Sequence, residues 1–88
     1  LQALSIQPEG AQALSGLAML YLNLGKTKDA RDRAQAAVKV DPNNSEAWIV
    51  LGAAMASLGD AAGANAAYGR CAELPSGKYV PECRRLVR

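Results

Sequence analysis

Residues 47–60 read AWIVLGAAMASLGD. Trp48, Leu51, Gly52 and Met55 recur at three- and four-residue spacing, which draws one apolar stripe along a helix. Gly59 stands where a left-handed residue would end that helix, and Asp60 suits the N-cap of a following one. Apart from Asp60 the stretch carries no ionisable side chain, so it is built for packing. Its small residues let a second helix approach closely, while Trp48 and Leu51 fill the gaps. The expected role of Trp48 is a core anchor, at a cost of about 3 to 5 kcal/mol on replacement by alanine.

The same signals occur one unit earlier. A shift of 34 residues aligns Pro8 with Pro42, Ala13 with Ala47, Leu17 with Leu51, Leu24 with Leu58, Gly25 with Gly59 and Ala30 with Ala64. Leu14, Leu17, Ala18 and Tyr21 form the matching stripe. Second helices follow Thr27 and Asp60, both read as caps, and carry Ala30, Ala34, Ala37 and Val38, then Ala64, Ala67, Tyr68 and Cys71. The spacing predicts helices near 11–24, 27–40, 45–58 and 61–74. A repeated helix, tight turn, helix and proline-bearing loop is the signature of a stacked solenoid.

This pattern resembles the tetratricopeptide repeat. Trp48, Leu51, Gly52, Ala64 and Tyr68 carry the resemblance in one unit, and Leu17, Tyr21, Ala30 and the closing Pro42 in the other. Leu14, Ala18 and Ala34, then Met55, Cys71 and Ser76, depart from the family pattern while keeping small or apolar character. The resemblance implies an all-α fold, a right-handed α-solenoid of antiparallel helix hairpins. The chain then divides into the tail of a preceding repeat (1–8), repeat one (11–42), repeat two (45–76) and a capping helix (79–87). In that last segment Pro81 can open a short helix with Val80, Cys83, Leu86 and Val87 on its apolar face. Lys78, Glu82, Arg84, Arg85 and Arg88 would face water. The alternative is the first helix of an aberrant third repeat.

Composition sets the limits on function. The 88 residues make one small domain, half of them hydrophobic and a fifth charged. Such a chain buries only about 60 to 65% of its unfolded surface, and its stability is roughly 4 to 13 kcal/mol. With a formal net charge of +2 and no long basic run, a nucleic-acid partner is not expected. No segment reaches the roughly 18 apolar residues of a membrane span, so no membrane insertion is expected. Leu1 to Pro8 lack the charged start and long apolar core of a signal peptide, and the missing initial methionine leads to the expectation of a fragment or processed product. There is no histidine, hence no ordinary Ser-His or Cys-His nucleophile pair, and no glycine-rich phosphate loop. We therefore expect no enzyme, no cofactor and no metal.

The two cysteines leave two states open. A Cys71–Cys83 disulfide would close a loop of about 12 residues, adding roughly 3 kcal/mol and implying an oxidising compartment such as the periplasm. Two buried free thiols would instead behave as small hydrophobes and fit the cytoplasm.

Function is expected from the concave wall. The resemblance implies that the first helix of each unit lines it, and the stripe beside the core stripe is Gln12, Ser15, Met19, Leu22 and Asn23, then Glu46, Ile49, Ala53, Ala56 and Ser57. A wall of small and apolar residues with polar margins suits a peptide or helix of a protein partner. Family members that grip the carboxylate ends of chaperones use lysine, arginine and asparagine there, a set that neither unit carries. The alternative is a structural section of a longer solenoid, with Met19, Leu22 and Ile49 contacting further repeats or a second copy in a homo-oligomer.

Overall fold

A computed structural model describes the backbone of residues 3–87 and the side chains of residues 10–87. Five helices follow one another: α1 (Ala3–Asn23), α2 (Thr27–Val40), α3 (Ser45–Ser57), α4 (Ala61–Glu73) and α5 (Val80–Leu86), with no strand among the described residues. The fold is an all-helical array of stacked hairpins. α2, α3 and α4 keep their expected bounds to within a residue. α1 differs: it starts at Ala3, and the Leu4–Pro8 segment expected as the tail of a preceding repeat is helical and continuous with it. Pro8 thus lies inside a helix while its aligned partner Pro42 lies in the loop between α2 and α3. Proline has no N–H to donate, so the helix forgoes one backbone bond there.

The turns repeat as the sequence does. Gly25 and Gly59 have φ of 82° and 89°, a region that glycine enters without steric cost. In each turn an N–H reaches back five residues, from Lys26 to the Tyr21 carbonyl at 2.8 Å and from Asp60 to the Met55 carbonyl at 2.9 Å. These bonds satisfy carbonyls that the helix ends would otherwise leave open. Asp60 caps α4 by accepting from the Gly63 N–H at 2.8 Å, and Asn44 caps α3 by accepting from the Ala47 N–H at 3.1 Å. Thr27 does not cap α2: it is already the first helical residue, the N-cap is Lys26, and no side chain bonds there.

Short side chains set the packing distance. Ala18, Ala30, Ala34, Ala37, Ala47 and Ala54 have no exposed surface, and Val50 is the largest fully buried side chain. Gly52 is required by its neighbour, because a Cβ there would stand 2.5, 2.7 and 2.9 Å from three carbons of the Tyr68 ring. Trp48 is only partly buried, packed on the edge of this alanine-rich core rather than at its centre. Its indole N–H donates to the Pro42 carbonyl at 2.7 Å, which ties α3 to the preceding loop. The guanidinium of Arg70 lies 6.0 Å from its ring centre.

Successive helices pack on one another, and α1 also packs on α3, whereas α2 and α4 make no comparable contact. Between the first two hairpins the contact thus runs through α1 and α3 rather than through α2 and α4. The array's extents of 42 × 29 × 17 Å fit a slab two helices thick. α5 packs chiefly on α4. Val80 and Cys83 are buried as expected, but Leu86 and Val87 are 38% and 36% exposed, because a seven-residue helix ends before it can press them onto the array. Cys71 and Cys83 are both fully buried with Cα atoms 5.8 Å apart and sulfurs at bonding distance. That spacing lies inside the window a disulfide requires.

Candidate groove on the concave face

The expected wall residues separate into three groups. Gln12, Ser15 and Glu46 line a polar notch together with Asp41, Asn44, Lys78 and Tyr79. Met19, Leu22, Ile49 and Ala53 line an apolar pocket one turn further on, whose lining also includes Tyr68, Tyr79, Glu82 and Leu86. Asn23, Ala56 and Ser57 are exposed beyond the end of the pocket and line neither space. They sit at the C-terminal ends of α1 and α3.

Four helices thus contribute, α4 through Tyr68. α1 supplies Met19 and Leu22, α3 supplies Ile49 and Ala53, and the α4–α5 loop and α5 supply Tyr79, Glu82 and Leu86. The pocket exists because α5 packs on α4 and stands off from α3, leaving a cleft between them. Its volume of about 230 Å³ falls below the roughly 300 to 1,000 Å³ of ordinary small-molecule sites, so it fits one or two apolar side chains of a larger ligand. Tyr79, Glu82 and Leu86 were not legible as wall residues, since α5 reads as a cap with Glu82 toward water. The 34-residue period was the available signal: it carries Ser45, the first residue of α3, onto Tyr79, just before α5.

Burial divides the wall into floor and rim. Ile49 is only 8% exposed and forms floor, while Met19, Leu22 and Ala53 are partly open. Ser15 is fully buried, so it contacts α3 rather than a ligand. Its hydroxyl stands 2.8 Å from Glu46 Oε1 and 3.1 Å from the Gln12 carbonyl, donating to one at a time, and accepts from Asn44 Nδ2 at 3.3 Å. Ser15 and Asn44 thereby hold the Glu46 carboxylate at the head of the groove. Burial pushes the Tyr68 hydroxyl above its usual ionisation range, and the Glu82 charge adds to the rise. Among the described residues no cluster of three or more metal-ligating side chains occurs, and no helix is long and apolar enough to cross a membrane.

Comparisons with known proteins bear on the family to which these helices belong. A family model for the tetratricopeptide repeat matches residues 15–77. A heat-shock protein cognate (HSC) co-chaperone, sgt12 of Aspergillus fumigatus, is 42% identical over 67 residues, which is 76% of this chain and 20% of that protein. The chain therefore spans about a fifth of that relative's length. The relative is fungal and lends no support to the bacterial source that a periplasmic location would imply.

Proposed function

From the premise that the chain belongs to the tetratricopeptide repeat family, a family of non-catalytic interaction folds, we propose that it holds a peptide or helix of a protein partner in the α1–α3–α5 groove, as a scaffold for assembly. The observation that carries this reading is the apolar pocket on the concave face, where Met19 and Leu22 stay partly open although the core below them is closed. A fungal relative called a co-chaperone is in keeping with a protein partner. The pairing of Cys71 with Cys83 belongs to the same reading, because it fastens α5, one wall of the groove, to α4; it calls for an oxidising compartment.

The test is selection of displayed random peptides against the protein, followed by binding to Met19→Asn and Leu22→Asn. Both positions are partly exposed, so the amide enters the groove without being forced into the core. Selected peptides should bind saturably and lose about tenfold in affinity, since an apolar contact replaced by an unpaired polar group costs about 1.4 kcal/mol or more. No enrichment, or binders indifferent to both changes, would refute the proposal.

One observation favours self-association as a second reading. Leu20 and Leu24 on the outer side of α1 and its end are 52% and 62% exposed. If this surface joins copies, sedimentation should show concentration-dependent oligomers that Leu20→Glu with Leu24→Glu abolishes. A strict monomer at high concentration rejects it.

A further inference from the structure

We propose that the groove selects a cationic partner, one that places an apolar side chain between α1 and α5 and lysine or arginine beside it; this rests on the groove reading above. The side chains lining the notch and the pocket include three carboxylates, Asp41, Glu46 and Glu82, against one ammonium, Lys78. The groove thus carries two net negative charges on a chain whose formal net charge is +2. None of the three has a lysine or arginine at ion-pair distance among the described residues; the ion pair there joins Arg31 to Asp32 on α2. The Lys78 ammonium lies 5.7 Å from the Tyr79 ring centre, so it is drawn to that ring rather than to Glu46 or Asp41.

Placement makes these charges usable. Glu46 lies three residues before Ile49 on α3, and Glu82 four residues before Leu86 on α5, so each carboxylate stands about one turn from an apolar lining residue on its own helix. Glu46 is also held: the buried Ser15 hydroxyl is 2.8 Å from its Oε1, which leaves the other oxygen free to accept. A cationic side chain entering here meets an acceptor that is already oriented, and so loses less entropy on pairing. An acidic segment would instead meet repulsion from two walls.

Peptides selected from a random displayed library test both levels at once. Groove binders, those weakened by the neutral changes Met19→Asn and Leu22→Asn, should be enriched in lysine and arginine flanking an apolar residue. A chosen binder should weaken about tenfold when its basic residues become glutamine, because an exposed ion pair contributes up to about a factor of five and two carboxylates act together. Most of that difference should vanish in a Glu46→Gln, Glu82→Gln protein and in high salt. Neutral or acidic groove binders, or a basic preference that survives the double change, would overturn the charge inference while leaving the groove in place. Absence of any Met19-dependent binder would remove both.

Discussion

Gly52→Ala sets two known effects against each other and gives the sharpest test of the packing. In an open helix this change stabilises by roughly 1 kcal/mol, because glycine loses more backbone freedom than alanine. Here the new methyl would stand 2.5 to 2.9 Å from Cε1, Cδ1 and Cζ of Tyr68. Carbon atoms rest at about 3.5 to 4.0 Å, so the ring must withdraw by about 1 Å from between α3 and α4. Overpacking of this kind costs roughly 1 to 3 kcal/mol, and a rigid ring met by three atoms belongs at the upper end. The net expectation is a loss of about 2 kcal/mol, read as a urea midpoint shift without a change in slope. In a Tyr68→Ala background the obstacle is gone, and the same substitution should stabilise by about 1 kcal/mol. The cycle therefore predicts a coupling of about 3 kcal/mol. If Gly52→Ala stabilises the parent protein, or has the same sign in both backgrounds, the close approach of α3 to α4 through Gly52 is wrong.

Other consequences are checked more simply. Reducing the Cys71–Cys83 pair should lower stability by about 3 kcal/mol, from the entropy of a loop spanning 12 residues; intact mass showing two free thiols before reductant would remove the basis. Asn44→Ala should cost about 1 to 2 kcal/mol, more than Asp60→Ala, because Asn44 also reaches the Ser15 hydroxyl at 3.3 Å; equal losses in denaturant melts would deny it that second role. Tyr68 is raised above 10.0 by burial and then by Glu82, so its neutral form is favoured in the folded state. Its contribution is whole below pH 10 and is lost as pH climbs through the raised folded value. Tyr68→Phe should therefore flatten part of the alkaline decline in melting temperature, and an unchanged slope counts against it.

The fold was legible because its determinants are local and duplicated. Gly25 and Gly59, Leu17 and Leu51, Ala30 and Ala64 each recur at one period, and each has a steric reason for its place. Asp60 is legible as a cap by type, whereas Thr27 misleads, since a good capping residue one position late becomes the first helical residue. Pro8 misleads in another way: proline weakens a helix without always ending it. Trp48 is large enough to suggest a centre, yet this core is mostly alanine around Ile49, Val50 and Leu51 and keeps the indole at its edge. On the groove, Met19 and Leu22 follow from helical phase once the family resemblance assigns the first helix of each unit to the wall. Ser15 does not, because its burial depends on Asn44 and Glu46 closing over it, and those contacts span 29 and 31 positions. Tyr79, Glu82 and Leu86 depend on where α5 docks, which Cys71 and Val80 decide through tertiary contact.

If the proposed groove is the binding site, the brevity of α5 limits how much of a ligand it can scan. Seven residues rise only about 10 Å, while the opposing helices continue past it. An extended strand advances about 3.3 Å per residue, so some three positions sit between all three sides at once and the remainder overhang. Recognition confined to so short a word gives modest grip and quick exchange. Firm attachment would then come from several such words along one strand, or several copies of this fold side by side, multiplying weak hold into avidity.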